Sequence, residues 1–344
     1  MFVCPLKKPE EHFPAVMMRV KRDSVTYMKA IRMHEFGGAD VLRLEDIERP
    51  SPERDEVVIK ISCAGLNYSD ISRRRGSYLA GISLPYVPGL EAAGTVDEVG
   101  SGVTQFKEGD RVLAIMNGGG YAEFVAAKAG QLFSIPDELD FAESTALLVQ
   151  GMTAVGLLRE AKAGQSILIH AAAGGVGSIL VQLAKSKGLT VIGTASNSEK
   201  LEMILALGGD FAVNYTEQDW PQQVMQATGE RGVNLIIEMV GGEIVGKNLE
   251  LLAVNGTMWV YGSASGEDYK LSVLDLLDKN LIVRGYWLTL ESPSRRAEFA
   301  AELLSYYREK RLQISVTEFP LEKAAEAHRA IEGRETTGKV VLTI

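Results

Sequence analysis

Two rhythms of apolar and polar positions divide the chain. From Met28 to about Val149 the apolar positions come in short runs broken by glycine and aspartate: "EVVIKISCAG", "AAGTVDEVGSGV" and "KEGDRVLAI". Alternation with a period of two puts successive side chains on opposite faces, so these runs predict strands joined by turns, and residues 28–149 read as a mostly β domain. From Gln150 the rhythm changes to apolar strands alternating with amphipathic helices. The strand candidates are Ser166–His170, Thr190–Thr194, Phe211–Asn214, Asn234–Glu238, Thr257–Tyr261 and Leu281–Gly285, with helices such as Val176–Ser186 and Asn197–Leu207 between them. Strands covered by helices on both faces are continuously apolar, as "ILI", "LII" and "MWV" are. Right-handed crossovers between such strands predict a doubly wound parallel sheet over 150–289. The helical stretch "SRRAEFAAELLSYYREK" then opens a mixed segment, 290–344. The fold class is α/β. Residues 1–27 lack both strand patterning and the apolar core of a secretory signal, and are expected to be a disordered extension or the trace of an alternative upstream start.

Between "SILIH" and "VGSILVQLAKSK" lies Ala172-Ala173-Gly174-Gly175-Val176-Gly177. This is the dinucleotide pattern G-x-G-x-x-G with Ala172 in the first place. Gly174 would let the backbone approach a pyrophosphate, and Gly177 would let the helix pack against the strand. The phosphates would lie at the helix N-terminus, where free N–H groups and the dipole favour anions. A strand before the loop, a helix after it and a second strand beyond raise the motif above a tight turn. The second strand ends at Ser196, where an acid would bond the ribose of NADH and repel a 2′-phosphate. With Ser196 there and Lys200 nearby, NADPH is the expected cofactor. Ser196-Asn197-Ser198-Glu199 also reads as a capping box serving the helix alone, and the two readings are compatible.

Composition narrows the classes. A net charge of −9 over 344 residues argues against a general nucleic-acid or acidic-membrane binder. Cys4 and Cys63 are too few for a disulfide framework and point to a reducing, cytoplasmic compartment. No apolar run reaches about 18 residues, so no membrane-spanning helix is expected.

The segments "CAGLNYSD", "VPGLEAAGTVDEVGSGV", "GDRV", "GGYAEFV", "LLVQGMTA" and "HAAAGGVG" occur in an order that resembles the quinone oxidoreductase branch of the medium-chain dehydrogenase/reductase superfamily. The resemblance runs from about Met28 to Ile344. It implies a GroES-like β domain, a Rossmann domain, a C-terminal segment returning to the first domain, an active site in the cleft, and a homodimer through the Rossmann sheet. Zinc-dependent members carry Cys where this chain has Asn67, and G-H-E where it has Gly89-Leu90-Glu91. His12, His34, His170 and His328 show no ligand spacing, so no metal is expected. Without a Lewis acid to hold an alkoxide, the favoured acceptor is a quinone or an α,β-unsaturated carbonyl, whose anion after hydride addition is delocalised.

By the same resemblance Asn67, Tyr68 and Tyr78 are the candidate catalytic and substrate-lining residues, with Asp70 in structural support. Thr153, with Gln150 as a further candidate, would lie near the nicotinamide. Tyr215 would lie near the adenine and its phosphate, Gly262 and Ser263 in the crevice, and Arg334 and Lys339 as exposed C-terminal cofactor contacts. His170 reads as a packing or backbone-bonding residue rather than an acid, and water is the expected source of the proton. The expected activity is NADPH-dependent quinone reduction. Enone, 2-alkenal or enoyl reduction is the alternative within the class, and a non-catalytic NADPH sensor or scaffold the alternative outside it.

Overall fold

The last strand of the chain joins the sheet built around its first long strand. In the computed structural model, which describes residues 25–78 and 81–344, the final strand Lys339–Thr343 pairs antiparallel with Glu56–Leu66 and parallel with Val316–Pro320. That sheet continues through Glu91–Val99, Arg111–Ile115 and Leu132–Ser134, and Phe124–Lys128 pairs with Glu56–Leu66 off the main path. Its apolar face buries Val57, Ile59, Val96, Val112 and Ala114. The register Val341↔Gly65 and Val340↔Leu66 puts Lys339 next in line with Asn67. The predicted extension, 1–27, falls outside the described residues as far as position 24, and the first strand is Tyr27–Arg32.

The second sheet has six strands, all parallel, in the order Phe211–Asn214, Thr190–Ala195, Ser166–Ile169, Val233–Glu238, Leu252–Val260, Ile282–Gly285. The order reverses direction beside Ser166–Ile169, where a doubly wound sheet opens a crevice at its strand ends. Helices on both faces make the central strands fully apolar: Ile167, Ile169 and Ile237 pack on one side, Leu168, Ile236 and Met258 on the other. The Leu252–Val260 strand starts earlier than the sequence suggested, because the buried Leu252 already pairs with Val233, ahead of a shift in register before Thr257.

The C-terminal return is held by Arg74, which is 1% exposed on the Tyr68–Arg75 helix. Its guanidinium donates to both oxygens of Glu332, at 2.6 and 3.2 Å, to the Gly37 carbonyl at 3.1 Å, and to His328 Nδ1 at 3.2 Å. Burial foremost, and the Arg74 charge, push the His328 imidazole down to about 3, so it stays neutral and accepts. Breaking a buried pair leaves an uncompensated charge. Arg74→Met should therefore cost about 3 kcal/mol in urea unfolding, the usual scale for such a loss. An unchanged midpoint would mean that this contact does not hold the return in place.

Candidate functional site

The glycine loop leaves the Ser166–Ile169 strand at His170 and enters the helix Gly175–Ser186. The first-turn N–H groups of Gly175, Val176 and Gly177 lie beyond the reach of any intrahelical acceptor. A Cβ at Gly177 would run into the Ala171 carbonyl, so only glycine lets the loop fold onto the helix. At Gly174 a Cβ would have only that carbonyl, at 3.2 Å, within 4 Å, so this side of the loop is open. Gly175 is different: the space of its missing side chain is taken by the Gln150 amide. The C-terminal segment leans on the loop, because Gly338 N–H donates to the Ala173 carbonyl at 2.9 Å.

One corner of the crevice gathers cations around a tyrosine. Arg334 Nη1 donates to Tyr215 Oη at 2.7 Å, and its guanidinium lies 5.6 Å from the ring centre. Lys200 Nζ donates to the Arg334 carbonyl at 2.5 Å. Burial chiefly, with the Arg334 charge adding, draws the Lys200 ammonium below its ordinary value, although Glu199 works against this. The Tyr215 N–H donates to Ala195 O, next to Ser196. The expected capping box is corrected here. Asn197, not Ser196, caps the Ser198–Ala206 helix, its Oδ1 accepting from Lys200 N–H at 3.0 Å. An amide in the cap position leaves Ser196 outside the helix and unused by its capping.

The centre is a buried polar cluster around Asn67, 6% exposed. Asn67 Nδ2 donates to Glu91 Oε1 at 2.7 Å, and Asn67 Oδ1 accepts from Gln150 Nε2 and Lys339 Nζ, both at 3.2 Å. Lys339 forms a very close ion pair with Glu91, whose other oxygen accepts Val149 N–H at 3.0 Å. Lys339 was expected as an exposed contact and is 1% exposed; strand pairing of its neighbour Val340 with Leu66 carries it inward, where the Glu91 charge compensates it. Gly65 makes room for Glu91, since a Cβ there would overlap the carboxylate. Asp70 lies next to the cluster. Its Oδ2 accepts Asn67 N–H at 2.9 Å, and its Oδ1 has no partner.

Two contacts cross the cleft. Tyr68 Oη donates to the Ala264 carbonyl at 2.5 Å, in the loop that holds Gly262 and Ser263. Tyr78 meets Trp287 edge to face with centroids 6.0 Å apart, and the Arg73 guanidinium lies 4.4 Å from the Tyr78 centroid. Thr153 sits near the Asn67 cluster in sequence, but its hydroxyl donates within its own helix to Val149 O at 2.6 Å. Glu91, Arg73 and Trp287 were not singled out from the sequence. Only Glu91 carried a signal there, in "VPGLEAAG", at the place of a zinc-site motif.

A GroES-like sheet closed by the chain's own C-terminal strand, joined to a doubly wound parallel sheet, is the architecture of medium-chain dehydrogenases and reductases. The comparisons agree. The model described as an alcohol dehydrogenase GroES-like domain matches residues 53–137, and that described as a zinc-binding dehydrogenase matches 175–305. The quinone oxidoreductase of Rattus norvegicus is 34% identical over 324 residues, covering 92% of this chain and 98% of that protein. The Escherichia coli quinone oxidoreductase, solved in complex with NADPH, superposes with a TM-score of 0.88 at 31% identity, covering 92% of this chain and all of that one. A mycobacterial protein solved with NADPH gives 0.87 at 35% identity, again over 92% of this chain and 100% of that one. The chain belongs to the quinone oxidoreductase branch of the medium-chain dehydrogenase/reductase superfamily.

The Asp70 carboxyl is pushed up to about 7 from 3.8, by burial first and then by the Glu91 charge, against the pull of Asn67 N–H, Lys339 and Arg73. A folded-state value above the unfolded one means that the folded protein binds the extra proton. The stabilisation is full below about pH 4 and is lost as pH rises through 7. Asp70→Asn should flatten that slope in urea midpoints measured from pH 4 to 8. A slope unchanged by the substitution would exclude Asp70 as its source.

Proposed function

We propose that the chain is a zinc-independent, NADPH-dependent reductase that transfers hydride to quinones. The observation that carries this reading is a dinucleotide-type loop packed through Gln150 against a buried centre in which Asn67, the residue aligned by resemblance with a zinc-ligating Cys, accepts from the Lys339 ammonium. A zinc ion needs thiolate, imidazole or carboxylate electron pairs. Asn67 turns an N–H toward Glu91, and Glu91 is already neutralised by Lys339, so this donor set does not fit zinc.

The crevice does fit NADPH. The Gly174–Gly177 loop offers its open side and its free amides to a pyrophosphate. Ser196, Lys200, Tyr215 and Arg334 offer cations and no acid to a 2′-phosphate. Bound NADPH would supply a hydride. Thr153, Gly262 and Ser263 would border its nicotinamide half, and Tyr68 and Tyr78 would line the slot for a flat acceptor. The anion formed by hydride addition to a quinone is a delocalised phenolate. Hydrogen-bond donors such as a tyrosine hydroxyl suffice to hold it.

We also propose a homodimer and a cytoplasmic location. Among the described residues the outer edge of Ile282–Gly285 has no partner strand, and the Val273–Asp278 helix that precedes it exposes Val273 at 72%, Leu274 at 73% and Leu277 at 69%. An apolar patch beside an open strand edge favours pairing with a second copy. Among the described residues no helix is long and apolar enough to cross a membrane. The net charge of −9 gives no support to a nucleic-acid partner.

Purified protein should oxidise NADPH with 1,4-benzoquinone or 9,10-phenanthrenequinone as acceptor, and faster than with 2-alkenals. Binding without turnover of any acceptor would leave a nucleotide-binding protein instead. Lys200→Ala, Arg334→Ala and Ser196→Asp should each lower the NADPH/NADH ratio of kcat/KM about tenfold, the scale of one charge-assisted hydrogen bond. A ratio that none of them moves would refute the phosphate corner. Light scattering should find a dimer that Leu274→Glu with Leu277→Glu converts to a monomer; a wild-type monomer would refute the assembly.

A further inference from the structure

Beneath the glycine loop a chain of hydrogen bonds spans the carboxyl ends of three neighbouring strands. His170, which follows Ser166–Ile169, is 1% exposed, and its two ring nitrogens are both engaged. Nδ1 lies 3.1 Å from Thr194 Oγ1 and Nε2 lies 2.8 Å from Asn248 Oδ1. Asn248 Nδ2 in turn donates to Glu238 Oε2 at 2.5 Å. Glu238, at the end of Val233–Glu238, is fully buried, and its Oε1 accepts from Val240 N–H and, at 2.8 Å, from Gly241 N–H.

These bonds have one consistent direction. Among the described residues Glu238 meets only N–H donors, so Asn248 must turn its amide NH2 toward it and its oxygen toward His170. His170 must then carry a proton on Nε2, the nitrogen 3.7 Å from Glu238 Oε2, and in its neutral form it accepts at Nδ1 from the Thr194 hydroxyl. The ring is held from the side by Trp220, edge to face with centroids 5.9 Å apart.

The chain does not stop at Glu238. The loop that it anchors passes the constraint on: the Met239 carbonyl accepts Ala264 N–H and the Val240 carbonyl accepts Ser265 N–H, both at 2.8 Å. Gly241, with φ of 79°, fits only without a side chain, because a Cβ would lie 2.6 Å from Ser263 Oγ. The Ala264 carbonyl then accepts the Tyr68 hydroxyl across the cleft.

We infer that Glu238 is a positioning residue for Tyr68, acting through the 239–242 and 262–266 loops, and that its acceptor character fixes the His170 tautomer. The consequence for turnover rests on the reductase reading above. The tautomer and the Tyr68 hydrogen bond do not.

Glu238→Gln keeps the shape but replaces one acceptor oxygen with a donor. Its remaining oxygen stays on the two backbone amides, and its new NH2 confronts that of Asn248. The Asn248 amide turns over, and its NH2 then faces His170 Nε2. The imidazole proton moves to Nδ1, and the Thr194 oxygen becomes the acceptor. The test is nitrogen-15 spectroscopy of histidine-labelled protein, assigned with His170→Asn, together with the Tyr68 ring-carbon shift, assigned with Tyr68→Phe. We expect a His170 protonated on Nε2 in the wild type, a swap to Nδ1 in Glu238→Gln, and a shifted Tyr68 signal in Glu238→Leu, which leaves the Val240 and Gly241 amides without their acceptor. With quinone as acceptor, Glu238→Leu should lower kcat about tenfold beside Tyr68 and less than about twofold beside Tyr68→Phe, since residues acting through one path do not add. A wild-type His170 protonated on Nδ1 overturns the proposal even if the variant does not fold. An unmoved tautomer, an unmoved Tyr68 signal or additive effects on kcat overturn it too. A wild-type protein without quinone turnover defeats the reductase reading alone, and the two spectroscopic signals still decide the positioning role.

Discussion

The Lys339–Glu91 ion pair is the interaction on which the cleft depends. Both side chains are at most 1% exposed, so each charge has given up its water and is tolerated only because the other lies against it. The pair ties the last strand of the chain to the first long strands of the GroES-like sheet. It also sets Asn67, which is bonded to both partners, and reaches the second sheet's entry helix through Val149 N–H. Such a pair adds little net stability compared with a well-packed apolar replacement. What it contributes here is register: a slip of one residue along Lys339–Thr343 would leave a bare carboxylate in the core.

Around that centre the protein is built in two halves with different tasks. In the proposed reading the parallel sheet would offer strand ends, loop amides and cations to a dinucleotide, and the GroES-like sheet amide, carboxylate and tyrosine groups to the acceptor. Tyr68–Ala264 and Tyr78–Trp287 join the two across the cleft. Both contacts come from or next to the helix that Asn67 precedes. The same short segment therefore ties the two halves together and carries the tyrosines proposed to line the slot.

Much of this was legible in the sequence, for physical reasons. Unbroken apolar runs revealed the parallel sheet because burial on both faces leaves few polar positions in mid-strand, and the glycine loop stood out because backbone sterics admit no substitute at Gly177. Lys339 was misread because a lone lysine is normally exposed, and only the long-range pairing of its neighbour Val340 with Leu66 carries it into the interior. Glu238 and Asn248 left no pattern at all. Each looks like an ordinary strand-end or helix residue until the fold stacks them beside His170. Ser196 was read as half of a cap because local spacing permits it, and one residue of difference in where the helix begins decided otherwise.

The contact of Gly338 with Ala173, and the pairing of the final strand with Glu56–Leu66, bear on how the protein is made. During synthesis the parallel sheet can form as soon as its own strands have left the ribosome, because it borrows no strand from outside its span. The cleft cannot: its wall is missing a strand until residues 339–343 emerge. The order of synthesis therefore lets the parallel sheet form ahead of the Asn67 centre beside it.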